Sequence, residues 1–266
     1  MLTSNTNPQW TELLQKAVTE PGVISEAYRR FHNYSLGNQL LAMFQCAARE
    51  LQPGPLGTFM HWKELGRNVK KGAKAIQLCM PVTGKRTAEV KDETTGETAA
   101  KEIGYTRFVY KNNWFVLSQT EGADYVPADL PEWKEAAALE ALEITRIEFD
   151  MLSGNCQGYA KERSVAVSPV AAMPFKTLFH ELGHVVLGHT TEMQMSDSDE
   201  HTPRDIRELE AECVAMLCCA SLGLPGVELS RGYIQNWYKG NEVPERSAQK
   251  IFSAADKILK AGKGVN

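Results

Sequence analysis

The residues best placed to do chemistry are His180-Glu181-Leu182-Gly183-His184. On a helix, residues four apart lie one above the other, so His180 and His184 can close on a single metal ion. Glu181 then falls on the side where a metal-bound water would sit. Two imidazoles plus a carboxylate base are what zinc needs to turn water into a nucleophile near neutral pH. Two packed histidines on a core helix are the plain alternative, and a third ligand with apolar flanks decides against it. Leu178, Phe179, Leu182, Val185, Val186 and Leu187 supply the flanks, with Pro174 suited to the first turn and Gly188 to the stop.

The third ligand is expected downstream. His189 sits nine residues after His180, one short of the three-histidine metzincin spacing, and reads as merely following the helix end. Glu208 is the better candidate, on a helix with Thr202 as cap, Pro203 at its first position and Asp205 three after the cap. Glu208, Glu212, Ala215 and Cys219 share one stripe of that helix. A carboxylate on a small apolar face is costly unless it meets a cation or a hydrogen-bond donor. Glu208 therefore reads as ligand and Glu212 as the group that orients a histidine, with Glu210 in reserve. This E-x-x-A-E after H-E-x-x-H is similar to the glutamate helix of gluzincin metallopeptidases, where the first acid is the ligand.

The rest of the chain must position these groups. With 266 residues, 43% hydrophobic and 23% charged, it can form one large or two modest globular domains. The formal charge of −4 argues against wholesale coating of nucleic acid. That charge is uneven: residues 1–130 carry 15 basic and 13 acidic side chains, the remainder 14 and 20. Six cysteines without a CxxC pair suit a reducing compartment, and no segment reads as a secretion signal or a membrane span. A cytoplasmic protein without a membrane partner is expected.

Apolar spacing predicts helices at 10–18 and 24–51, the second irregular near Ser35-Leu36-Gly37. Between Lys63 and Lys74, five basic residues (Lys63, Arg67, Lys70, Lys71, Lys74) fall in twelve, beside Phe59, His61 and Trp62. Cations for phosphates and aromatic faces for bases suit single-stranded nucleic acid, although a solvated hairpin turn has similar composition. A strand is expected at 75–80, a loop or long hairpin tip at 83–102, and strands at 103–110 and 114–117 joined by a Lys111-Asn112-Asn113 turn. Residues 121–131 read as a linker, 132–141 as a helix carrying Trp133, and 147–149 and 163–167 as strands. The second strand precedes the metal helix and is expected, by analogy with zinc peptidases, to offer its free edge to a substrate backbone. Residues 190–202 read as a polar lid over the cleft. Tyr233 and Trp237 fall on a short helix, Tyr233 with packing or oxyanion donation as its roles, and a last helix spans 243–261.

Three blocks together resemble the ArdC-type antirestriction proteins of conjugative plasmids. They are Phe31-His32-Asn33-Tyr34-Ser35-Leu36-Gly37-Asn38-Gln39-Leu40-Leu41; the segment from Trp62 through Gly66-Arg67-Asn68-Val69-Lys70-Lys71-Gly72 to Met80-Pro81, with Phe115 to Gly122 beyond it; and Gly154-Asn155-Cys156-Gln157-Gly158-Tyr159 ahead of the two ligand helices. The likeness spans nearly the whole chain and is weakest over 83–102 and the last thirty residues. It implies an α+β fold of two domains: a helix-then-β-hairpin, single-stranded-DNA-binding domain at 1–125 and a zincin-like metallopeptidase domain at 126–266. It also makes Tyr34, Asn38, Trp62, Arg67, Lys70, Lys71 and Lys74 candidate DNA contacts. The expected protein is an antirestriction factor that protects incoming DNA in a recipient cell. Its zinc, or another divalent ion such as manganese, is held by His180, His184 and Glu208, with Glu181 as base. Its partners would be single-stranded DNA and a protein substrate or restriction enzyme. The rival is a DNA-binding module whose metal site is structural or inactive, closed by a fourth ligand from His189, Glu212 or a cysteine.

Overall fold

The computed structural model describes residues 9–91, 98–151, 156–190, 203–238 and 242–263, in a mixed α+β fold. It divides into two units, Met1–Pro55 with Val126–Asn266, and Leu56–Tyr125. The second unit ends at Tyr125. The first three helices, however, cluster with the C-terminal part.

Their reason for doing so is partly electrostatic. Helix α1 (Trp10–Thr19) has no side-chain cap of its own. Glu245 supplies one, accepting from the Trp10 N–H at 2.8 Å and the Thr11 N–H at 2.9 Å. Helix α2 (Val23–Phe31) ends before a break, and α3 (Leu36–Ala48) restarts with the Asp256 carboxylate accepting the Leu36 N–H at 3.1 Å. One long helix over 24–51 is thus two, split where Ser35 turns extended. Each carboxylate meets the positive end of a helix whose first N–H groups lack partners. Their donor is α9 (Glu245–Ala261), whose apolar face buries Ala248, Ile251, Phe252, Ala255, Ile258 and Leu259.

The centre of this unit is α7 (Arg204–Leu222), buried without interruption from Leu209 to Ser221. Pro203 is its N-cap residue and Arg204 its first helical one, a position later than expected, and Thr202 lies outside the described residues. Against α7 packs α6 (Pro174–Val186), started by Pro174 and followed by Gly188 at φ +79°. Gly183 makes the crossing close: a Cβ there would stand 3.3 Å from the Ala211 Cα. Trp133 lies ahead of the next helix, α5 (Glu135–Leu142), rather than on it, and packs edge-on to Phe179.

A small sheet has the order β6 (Thr145–Arg146), β8 (Ser164–Val167), β7 (Gly158–Lys161). The strand expected at 147–149 lies two residues earlier. The strand over 163–167 is central and buried, so it has no free edge; β6 and β7 are the edge strands of this sheet among the described residues. Gly158 on β7 lies under α6, where a Cβ would meet Thr177 at 2.5 Å and the Glu181 Cγ at 3.3 Å.

The second unit is a long hairpin with small attachments. Strands β3 (Ile76–Lys91) and β4 (Thr98–Val116) pair antiparallel, and β1 (Leu56–Thr58) flanks β4. Much of 83–102 is thus paired strand, as a hairpin tip requires. Residues 111–113 do not turn. Strand β4 runs through them, and the register slips between Ile76 and Gln77 so that Trp114 and Asn112 pair with adjacent residues. Polar residues that resemble a turn mark a β-bulge here. A short helix, α4 (Phe59–Glu64), is capped by Thr58 and leads to β2 (Arg67–Val69), which pairs with β5 (Thr120–Gly122) at the start of the expected linker. In the first unit α8 (Val227–Tyr238) carries Tyr233, half exposed.

Candidate functional site

Helices α6 and α7 bring His180, His184 and Glu208 together. The two imidazole Nε2 atoms are 3.1 Å apart, and the Glu208 Oε2 lies 3.5 Å from one and 3.7 Å from the other. The point equidistant from three such atoms is about 2.0 Å from each, the bond length zinc makes to nitrogen or carboxylate oxygen. These three are the cluster of metal-ligating geometry among the described residues.

Proton positions follow from the groups behind the rings. A carboxylate can only accept, so the His180 Nδ1, 3.0 Å from the Glu212 Oε2, carries the proton. Glu212 is itself paired with Lys176 at 2.8 Å. On the other side, the Glu210 Oε2 lies 2.9 Å from the His189 Nε2, which must donate. The His189 Nδ1 is then an acceptor, and the His184 Nδ1 donates to it across 3.1 Å. With both rings neutral, the two Nε2 lone pairs face each other. That arrangement is repulsive unless a cation or a proton lies between them, which is the demand a metal site makes.

The electrostatics agree. Burial works against a charged His180, but hydrogen bonds to Glu208 and Glu212 raise it to about 9. Burial and the neighbouring His180 push His184 down to about 4. Burial opposes ionisation of Glu212 too, yet His180, Lys176 and Ser230 bring it to about 2. Glu181, 7% exposed, is pushed up to about 7 by burial, with Glu208 adding to the rise. A carboxylate that takes a proton near neutrality suits a general base.

The sequence missed His189 and the role of Glu210, because a histidine just past a helix end carries no periodic signal. Glu210, kept in reserve as a ligand, points at His189 instead. His189 and Glu212 sit behind the rings rather than beside the carboxylate, and Cys213, Cys218 and Cys219 are fully buried. No fourth protein ligand is therefore apparent among the described residues. Tyr233 has its phenol raised by burial and by Glu208 and Glu212. Most of the expected lid, 191–202, lies outside the described residues.

The DNA candidates divide between the units. Tyr34, half-buried, and Asn38, 6% exposed, belong to the first unit. In the second unit Trp62 is only 1% exposed; its indole N–H donates to the Phe115 carbonyl at 2.9 Å and its ring meets Tyr125 edge-on. A base cannot stack on it, so Trp62 is a core residue. Arg67 spends its guanidinium on the Thr120 Oγ1 at 2.9 Å and on the Thr120 and Ala123 carbonyls. Lys70 donates to the Ser118 carbonyl at 2.9 Å. Lys71 and Lys74 are exposed on the turn, whose shape is fixed by Gly72 at φ +84° and by Gln119, which donates to the Lys74 carbonyl at 2.9 Å. No helix is long and apolar enough to cross a membrane among the described residues.

Comparison with known proteins agrees with the resemblance. Residues 4–112 match the family model for the N-terminal domain of anti-restriction factor ArdC. Among solved structures, the Mn(II)-bound antirestriction ArdC protein from the R388 plasmid is 19% identical, covers 96% of this chain and 98% of its own, and gives a TM-score of 0.51. The metal-free structure of the same protein is 23% identical over 95% and 94%, with a TM-score of 0.49. No curated protein matches the sequence.

Proposed function

We propose that this chain, whose residues 4–112 match the N-terminal domain of anti-restriction factor ArdC and whose fold is similar to that of the R388 ArdC protein, is an ArdC-type DNA-binding protein with a metal-dependent peptidase site. The observation that carries the hydrolytic half is the pair of imidazole Nε2 atoms 3.1 Å apart, with the Glu208 carboxylate beside them. His180, His184 and Glu208 would hold a divalent ion. Zinc suits this donor set and manganese is a second candidate, the R388 ArdC protein having a Mn(II)-bound structure. When bound, the ion supplies Lewis-acid polarisation and lowers the pKa of water.

Everything else is done by side chains. Glu181 takes a proton from the attacking water and returns one to the leaving amine. Glu212 and His189 keep the two rings in the tautomer that presents Nε2. The edge of β7, which lines the cleft with Gly158, Tyr159 and Ala160, would hold an extended peptide by main-chain hydrogen bonds.

In the second unit, the exposed Lys63, Lys71 and Lys74 are the groups we assign to phosphates of single-stranded DNA, with Arg67 and Lys70 shaping the turn that displays them. Antirestriction would then combine a hold on incoming single strands with cleavage of a protein.

The test is Glu181→Gln. It should keep stoichiometric metal and DNA binding while hydrolysis of a quenched-fluorescent peptide library falls at least about a hundredfold. Loss of metal in that variant, or peptide cleavage at the wild-type rate, would strip Glu181 of its part as general base.

A further inference from the structure

We infer that the cleft over the metal site selects a peptide carrying a carboxylate, gripped by Arg207 and Arg204. This rests on the peptidase reading above and adds a substrate class to it.

The cleft measures about 510 Å³ and is lined on one side by His180, Glu181, His184 and Glu208, and on another by the two arginines. Arg204 and Arg207 are three apart at the start of α7, so they share a face of the helix that supplies Glu208. A divalent ion would offset the charges of Glu181 and Glu208. Glu212 already answers to Lys176, while Glu210 keeps its charge behind a neutral His189. The two guanidiniums outweigh that single charge and line the cleft, which Glu210 does not, so the loaded cleft is left cationic.

Arg207 makes the stronger case. Its Nε is buried and has no hydrogen-bond partner among the described residues. An open buried donor is a cost that an anion drawn up to the same guanidinium would lower. A guanidinium offers a planar fork of donors that fits a carboxylate with two parallel hydrogen bonds. A phosphodiester would also suit the charge. The free edge of β7 on the same cleft favours an extended peptide, whose backbone it can pair with, over a nucleic acid, whose backbone it cannot.

The carboxylate can come from an Asp or Glu side chain or from the end of a chain, and the experiment separates these. Full-length protein loaded with zinc is mixed with quenched-fluorescent peptides blocked at both ends and differing only in Glu against Gln near the scissile bond. A second pair differs in a free against an amidated C-terminus. The expected result is kcat/KM at least about tenfold higher for one acidic member, with that ratio falling to about one in Arg207→Ala and Arg204→Ala/Arg207→Ala. Preference within the first pair assigns a side chain, and within the second pair a chain end.

A binding arm does not depend on turnover. Titration of zinc-loaded protein with N-acetylglutamate should give saturable NMR shifts at Tyr159 and Glu208, absent with N-acetylglutamine amide, which carries no carboxylate, and lost in Arg207→Ala. Metal content and melting temperature of that variant report that it is folded. Equal cleavage of acidic and amide peptides, selectivity that survives in the double variant, or displacement of N-acetylglutamate by a dinucleotide but not by an acidic peptide would each overturn the inference. If no peptide is cut at all, the peptidase reading fails, while the binding arm still judges the arginines.

Discussion

Around His180 and His184 each ring is committed from behind, one to Glu212 and Lys176, the other to His189 and Glu210. The basic turn of the second unit is arranged differently. There Arg67 and Lys70 donate to backbone carbonyls, and Lys63, Lys71 and Lys74 are exposed. On the proposed function, the contrast would follow from what each region has to recognise. A metal ion demands ligand atoms placed within a few tenths of an ångström, so every donor is pre-oriented by a buried neighbour. A phosphate backbone is met by screened point charges, for which position matters less and number matters more. Damage to the first region should be large and local, and damage to the second modest and additive.

The largest effect belongs to the ligand itself. Glu208→Ala should lower metal affinity by about a hundredfold or more, measured by competition with a chelating dye, while Glu210→Ala loses less. A smaller loss at Glu208 than at Glu210 would undo the ligand assignment. His189→Ala should come next, costing about tenfold to a hundredfold in affinity through the ring it orients. An unchanged affinity would mean that His184 needs no support from behind.

In the second unit, Lys71→Ala with Lys74→Ala should weaken single-stranded DNA binding uniformly across sequences. The slope of log affinity against log salt should become shallower by roughly 1.4, from about 0.7 for each charge removed. Arg67→Ala should instead lower the melting temperature, because its hydrogen bonds are internal. A reversal of those two outcomes would mean that the structural and the binding cations had been exchanged.

The smallest effect is a helix cap. Hydrogen bonds from Trp10 and Thr11 hold the Glu245 carboxyl below its ordinary value, against the opposing effect of burial. A depressed acid contributes its stability above the unfolded-state pKa and loses it as pH falls through the folded-state value. Glu245→Gln should therefore cost about 1 kcal/mol or less at pH 7, and the gap should close in acid below about pH 4. A gap independent of pH would show that the carboxylate charge plays no part in holding α1.

How far the sequence disclosed each region follows the same contrast. The convergence of His180, His184 and Glu208 was legible because an i, i+4 pair and a carboxylate on a small apolar stripe are both periodic. His189 was not legible, since its partner at Glu210 depends on how two helices cross. In the second unit the density of basic residues was legible, but not their division of labour. Nothing in the spacing of Trp62 and Arg67 shows that one is core and the other a clip, because both facts depend on Phe115, Thr120 and Ala123, more than fifty residues away. The bulge at Asn112 was read as a turn for a like reason, local polarity being common to both. The attachment of residues 1–55 to the C-terminal helices also lay beyond local pattern, since two carboxylates on α9 act at a distance of more than two hundred residues.

The bare backbone at Gly183 acts as a caliper. Its missing methyl lets α6 and α7 close to a crossing where a Cβ would stand 3.3 Å from the Ala211 Cα and 3.4 Å from its carbonyl oxygen. The jaws of that caliper are the histidine pair on one helix and the carboxylate on the other. If the proposed ion binds there, the width of a single side chain, well removed from any ligand atom, would gauge the ionic radius the aperture accepts, a wider setting favouring larger ions over smaller ones.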